Sequence, residues 1–162
     1  MHLYIVRHAW AGHSGDPQYP DDRLRPLSDD GQKRFRQLVK KLMKRSFDPA
    51  HVATSPLVRC RQTADVIAEL SPRRPDVLEL ADLAPGGELD PLLEWTQRQM
   101  PADVAWVGHT PGVDELTAKL IGDAHACIRF AKGAVACVEF ADEPAAGQGE
   151  LVWLATAGLL GV

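Results

Sequence analysis

The sequence predicts an α/β fold: a three-layer sandwich with a mainly parallel central sheet, helices on both faces, and an antiparallel edge from a C-terminal hairpin. Three observations predict it. Short apolar runs alternate with segments of helical periodicity through most of the chain. Three of those runs deliver a cationic or imidazole side chain at their C-terminal ends: Arg7-His8, Arg59 and His109. Two last apolar segments, near 134–140 and 150–155, flank an Asp-Glu-Pro and Gly-Gln-Gly stretch with no helix between them, which reads as a hairpin.

Taken in order, Leu3-Tyr4-Ile5-Val6 is the first strand, and Trp10 to Pro26, rich in Gly, Pro, Asp and Ser, is a loop. Ser28 or Asp29 starts a helix whose apolar stripe is Phe35, Leu38, Val39, Leu42 and Met43. Its other side carries Lys33, Arg34, Arg36, Lys40, Lys41, Lys44 and Arg45, either a solvated face or a docking surface for an acidic partner. A strand at 51–54 leads to a helix at 56–70, with Ser55 as N-cap and Pro56 in the first turn. Val77–Leu80 is a short strand before a Pro-Gly-Gly turn and a helix holding Leu89, Leu92, Leu93 and Met100. The strand at 104–108 leads to a helix with Thr110 as N-cap, Pro111 in its first turn and the stripe Val113, Leu116, Thr117, Leu120, Ile121.

Length and composition fit one domain spanning 1–162, with no repeat and no linker. A chain of this size buries about 70% of its unfolded surface and needs no staple. The formal net charge of −4 argues against a general nucleic-acid binder and supplies no polybasic membrane anchor. No apolar stretch approaches the roughly 18 residues that span a bilayer. The first strand begins too early to leave room for a cleavable leader, and Cys60, Cys127 and Cys137 have no C-x-x-C spacing. A cytoplasmic protein with reduced thiols is the expectation.

Strand ends of a parallel sheet face one crevice, and ligands bind there. Arg7, Arg59 and His109 brought to that crevice suit a tetrahedral dianion, because guanidinium forks match phosphate oxygens and stay charged. Helix starts at the Ser-Pro and Thr-Pro junctions add partial positive charge. His8 has a different task. A neutral imidazole is an in-line nucleophile for a phosphoryl group once its second nitrogen is held, and adjacent guanidiniums lower its pKa. His109 then donates to an equatorial oxygen, where transition-state charge gathers.

The segments Arg7-His8-Ala9, Ser55-Pro56-Leu57-Val58-Arg59-Cys60-Arg61-Gln62-Thr63-Ala64 and Gly108-His109-Thr110-Pro111-Gly112 resemble the histidine phosphatase superfamily. In order and separation they are similar to its small SixA-type phosphohistidine phosphatase branch, over essentially the whole chain. Arg25-Pro26-Leu27-Ser28 and Leu83-Ala84-Pro85-Gly86-Gly87 also look like this branch. The resemblance implies a phosphoglycerate-mutase-like fold, His8 as phosphoacceptor, and Arg7, Arg59 and His109 as the phosphate-binding and catalytic companions. It also selects Arg59 over Arg61, which spacing alone leaves open. The chain departs from the family with Ala9 for the usual Gly, and with Ala11 and Ser14 where the mutase relatives carry Ser and Asn. It lacks the large helical insertions that cover the site in those relatives. An uncovered pocket suits a phosphate displayed on a protein surface.

An alkoxide leaving group requires a positioned acid, and the larger family members place a carboxylate after the third strand. Asp82 and Glu88 stand there, either as that acid or as ordinary polar residues. A departing imidazole needs less help, since it leaves neutral when its other nitrogen already carries a proton. Asp123, His125 and Cys127 make either a metal-binding trio or, their spacing being no recognised zinc pattern, a plain loop. Trp10, Tyr19 and Asp21-Asp22-Arg23 either shape the pocket rim or decorate the surface, while His2, His13 and His51 have no evident partner. The expected enzyme is a cytoplasmic, metal-independent, cofactor-free signalling phosphatase acting on a phosphohistidine-bearing protein. Its alternatives are a phosphomonoesterase of small phosphorylated metabolites and a non-catalytic phosphate-binding module. No nucleic acid or membrane is expected among its partners.

Overall fold

The computed structural model describes residues 1–162. The elements run β1 (His2–Arg7), α1 (Asp29–Met43), β2 (His51–Thr54), α2 (Val58–Leu70), β3 (Val77–Glu79), α3 (Leu89–Gln97), β4 (Val104–Gly108), α4 (Gly112–Leu120), β5 (Val135–Glu139) and β6 (Glu150–Ala155). Single 3-10 turns lie at Asp22–Leu24 and Ala81–Leu83. One six-stranded sheet has the order β3-β2-β4-β1-β5-β6. The β3/β2, β2/β4 and β4/β1 pairs are parallel, and β5 and β6 add the antiparallel edge.

Strand alternation divides the core into two. Tyr4, Val6, Val52, Ala105 and Val107 face α1 and α2, where they meet Phe35, Leu38, Val39 and Ile67. Leu3, Ile5, Val104 and Trp106 face α3 and α4, against Leu92, Leu93, Leu116 and Leu120. Trp106 is wholly buried, and its indole N–H is satisfied by Thr96 Oγ1 at 3.0 Å. The helices that follow β1 and β4, two adjacent parallel strands, therefore lie on opposite faces. Chains that diverge in this way open a crevice at the strand C-termini.

Helix α1 begins as expected, with Ser28 Oγ accepting from Gly31 N at 3.1 Å. The next two expectations need correction. Helix α2 starts at Val58 behind Leu57, because Ser55 N still donates to Val107 O and carries the strand ladder one residue further. Ser55 Oγ instead accepts from Leu57 N at 3.4 Å, within the turn. Helix α4 starts at Gly112 behind a cis Thr110-Pro111 peptide, and its first N–H groups go to His109 O (from Val113) and Pro111 O (from Asp114 and Glu115), not to Thr110. Met100 lies beyond α3 and is exposed. The cationic face of α1 is only partly solvated. Arg34 stacks on Trp10 and donates to Val162 O, Arg36 pairs with Glu69, and Lys41 donates to Leu160 O at 2.6 Å. The Arg34 and Lys41 hydrogen bonds hold the C-terminal segment against the helix.

Candidate active site

The crevice holds a cavity of about 350 Å³ whose lining contains no hydrophobic residue. Arg7, His8, Arg59 and His109 all line it, so the four side chains singled out from the sequence meet at one place. Their positions follow from the sheet. Arg7 pairs with Gly108 across β1 and β4, and His8 N donates to Gly108 O at 2.8 Å, which sets the β1 exit beside the β4 exit. Gly108 leaves room here, since a Cβ would lie 3.0 Å from Val113 Cγ1.

His8 is buried, with its Nδ1 2.7 Å from the Ala9 carbonyl and its Nε2 3.3 Å from Arg59 Nε. Arg59 can only donate, so Nε2 carries the lone pair and Nδ1 the proton, given to Ala9 O. Burial pushes the His8 pKa down to about 3, with Arg59, Arg7 and Arg25 adding to the drop and the Ala9 carbonyl opposing it. The ring is neutral, with a free Nε2. Burial also lowers the pKa of His109, helped by Arg59 and Arg7 and opposed by the Leu83 carbonyl. Two side-chain atoms of the quartet, Arg7 Nε and His109 Nδ1, are buried without a protein partner.

Behind the quartet runs a connected set of hydrogen bonds. Ala9 N donates to Thr63 Oγ1 at 3.1 Å, and the Thr63 hydroxyl donates to Arg59 O at 2.7 Å, tying the β1 exit to α2. Arg7 Nη1 donates to Phe130 O at 2.6 Å, and Gly133 N to His8 O at 3.0 Å. The segment before β5 thereby braces the other side.

Further residues line the cavity beside the quartet. Asp22 Oδ2 lies 3.1 Å from Arg59 Nη2, its carbonyl accepts from Arg59 Nη1 at 2.7 Å, and its Oδ1 accepts from Arg25 Nε at 2.8 Å. The Arg25 bond and the Arg59 and Arg25 charges hold this carboxyl below the usual range, against burial. Arg25, His13, Ser14 and Lys132 line the cavity too. The Arg-Pro-Leu-Ser segment was the available signal for Arg25, and the Asp21-Asp22-Arg23 cluster for Asp22; nothing local pointed to His13. Of the residues suggested for the rim, Asp22 alone lines the cavity, while Trp10 packs on Arg34 and Asp21 pairs with exposed Arg23.

Asp82 and Glu88 do not line it. Asp82 Oδ1 accepts from Glu88 N at 3.3 Å and closes the turn before α3, and Glu88 is exposed at the helix start. Asp123 Oδ1 accepts from His125 N at 2.9 Å in a turn, and the Asp123, His125 and Cys127 side chains do not converge as a ligand set. Cys60 and Cys137 are buried thiols, both pushed up to about 12 by burial.

Residues 3–115 match the family model of the histidine phosphatase superfamily (branch 1), a span that contains the whole quartet. The chain belongs to the histidine phosphatase superfamily. A protein of Picosynechococcus sp. is 37% identical over 120 residues, 71% of this chain and 70% of that one. Among solved structures, the protein histidine phosphatase SixA complexed with tungstate superposes with a TM-score of 0.85 at 26% identity, covering 99% of both chains. An alpha-ribazole phosphatase from Shigella flexneri shares the fold at a TM-score of 0.75 and 17% identity, covering 97% of both chains. As a histidine phosphatase of the SixA type, the chain is a phosphatase hydrolase, and its relatives take more than one kind of phosphorylated substrate. No helix is long and apolar enough to cross a membrane.

Proposed function

We propose that this protein is a phosphohistidine phosphatase working through a covalent phosphohistidine intermediate on His8. The observation that carries the reading is the paired restraint of the His8 ring, with Nδ1–H on Ala9 O and Nε2 facing Arg59 Nε. A binding module needs the guanidiniums but not an imidazole held with its lone pair toward the cavity.

In the first step, His8 Nε2 attacks phosphorus as the bond to the leaving group breaks. Arg7 and Arg59 neutralise the phosphoryl oxygens, and His109 donates to an equatorial oxygen. Water then attacks the phosphorus on His8, releasing inorganic phosphate and restoring the neutral ring. This assignment draws on the tungstate held by a SixA relative, since tungstate is a tetrahedral oxyanion. Metal ions and cofactors have no part in the proposed steps.

A phosphohistidine on a protein is the favoured substrate, because its imidazole departs neutral and places little demand on an enzymic acid. The all-polar cavity lining fits a phosphoryl group presented from outside, as in cytoplasmic phosphorelay signalling. The test is a panel of a phosphohistidine protein, an aryl phosphate and sugar phosphates, run with trapping of an acid-labile phosphoenzyme. The reading expects kcat/KM to be highest for phosphohistidine and the phosphoenzyme to form on His8. Equal or better turnover of the sugar phosphates moves the assignment to a small-molecule phosphomonoesterase.

A further inference from the structure

We propose that His13 is a catalytic residue, the acid that protonates oxygen leaving groups in the first step and the base that activates water in the second. The inference rests on the reading that His8 is the phosphoacceptor. It begins from a requirement of the chemistry: an alkoxide or phenoxide of high basicity leaves slowly unless a positioned group supplies a proton. The two carboxylates nearest in sequence to where such a group is expected, Asp82 and Glu88, lie outside the cavity.

The cavity's own inventory is short. His8 is the nucleophile, and His109 is assigned to the phosphoryl oxygens. The Asp22 carboxylate is engaged by Arg25 and Arg59 and is held in its ionised form, so it has no proton to give. Arginine does not release a proton at any working pH, and a lysine ammonium does so only at strongly alkaline pH unless it is shifted. A histidine exchanges its proton near neutrality as an intrinsic property of the side chain. His13 is the remaining one.

Its placement is fixed from both sides. The Gly12 carbonyl accepts from Arg25 Nη1 at 2.6 Å, and the Ser14 hydroxyl lies 3.4 Å from Asp22 Oδ1. Both anchors belong to the Arg25–Asp22–Arg59 chain that ends on His8. The loop therefore carries His13 to the same cavity, where it lines the wall and is open to solvent. The charged groups around it are Arg7, Arg25, Arg59 and Lys132, opposed by Asp22. That cationic surplus draws a phosphoryl dianion into the cavity beside His13.

The steps balance. As His8 Nε2 bonds to phosphorus and the P–O bond to the leaving group breaks, the leaving oxygen takes the proton of the His13 imidazolium. The neutral His13 then accepts a proton from water as that water oxygen bonds to phosphorus and the P–Nε2 bond breaks. A phosphohistidine substrate needs only the second of these services.

The test compares wild type with His13→Gln and Lys132→Ala on a series of aryl phosphates of graded leaving-group basicity, with a phosphoramidate alongside. Thermal melting is recorded for each protein. The proposal expects H13Q to steepen the dependence of phosphoryl transfer to His8 on leaving-group basicity, measured by single turnover. The loss should reach about 100-fold for the most basic leaving group and stay within a few-fold for the phosphoramidate. A uniform loss across the series, no loss, or a steepened dependence in K132A in place of H13Q overturns it. A wild type that cleaves the phosphoramidate but none of the esters overturns it as well. Those results leave the reading of His8 intact, whereas a wild type inactive on every substrate, or a His8→Ala variant that still turns over, removes both.

Discussion

Arg59 Nε and His8 Nε2 lie 3.3 Å apart across the cavity wall, one the donor and the other the bare lone pair. The same guanidinium reaches Asp22 with its two other nitrogens. Arg59 is thus held in place before any anion arrives, and it orients the ring it lies against. Replacing Arg59 with Ala should lower kcat by about 100- to 1,000-fold, the usual cost of losing one preorganised donor to a developing charge. Arg59→Lys should recover little of this, since an ammonium cannot contact His8 and Asp22 in one plane. Steady-state kinetics with both variants check it.

His8→Ala should abolish turnover and leave inorganic phosphate binding nearly intact, because Arg7, Arg59 and His109 still line the cavity. Calorimetric titration with phosphate, beside the loss of trapped phosphoenzyme, separates the nucleophile from the anion site. Retained catalysis contradicts the covalent route.

The depressed His8 pKa has a signed consequence. Between pH 3 and 6.5 the native ring stays neutral while the unfolded one is protonated, so the unfolded state binds more protons. Stability from this residue is therefore complete above the unfolded value and is lost as pH falls below it. From pH 7 to pH 5 wild type should lose about 2 kcal/mol more than His8→Asn does, read by urea denaturation at the two pH values. Activity, by the same token, should show no acid limb from His8 in that interval.

Thr63→Val tests the brace behind the site. The hydroxyl accepts from Ala9 N and donates to Arg59 O, and Val removes both bonds while keeping the shape. The buried Ala9 N–H is left unpaired, which should cost about 1–3 kcal/mol in denaturant unfolding. A fall in kcat should accompany it, since the contact joins the segment carrying His8 to the helix carrying Arg59.

Gly31→Ala should run against helix propensity. An Ala in the first turn of α1 is worth up to about 1 kcal/mol over Gly in an open helix. Here the new Cβ would lie 2.1 Å from the Trp10 carbonyl, which also accepts from Ser28 N. The expected result is a net destabilisation of about 1–3 kcal/mol by thermal or urea unfolding.

The sequence determined the order of strands and helices, the mainly parallel sheet with its antiparallel edge, and the strand ends that bring Arg7, His8 and His109 together; the choice of Arg59 over Arg61 came from the family motif. Apart from that choice, each follows from periodicity along short segments, and from the rule that parallel strands present their C-terminal ends together. Tertiary structure alone decided what the Trp10–Pro26 loop does. Asp22 touches Arg59 across 37 positions of sequence, and His13 reaches the cavity because its neighbours are pinned to Arg25 and Asp22. A loop has no period to read, and a carboxylate's partner is chosen by whichever cation the folded chain brings near. The late start of α2 has the same origin: the Ser55–Val107 hydrogen bond, made across the fold, outweighs the local capping preference. Asp82 instead closes its own turn, where it accepts from Glu88 N.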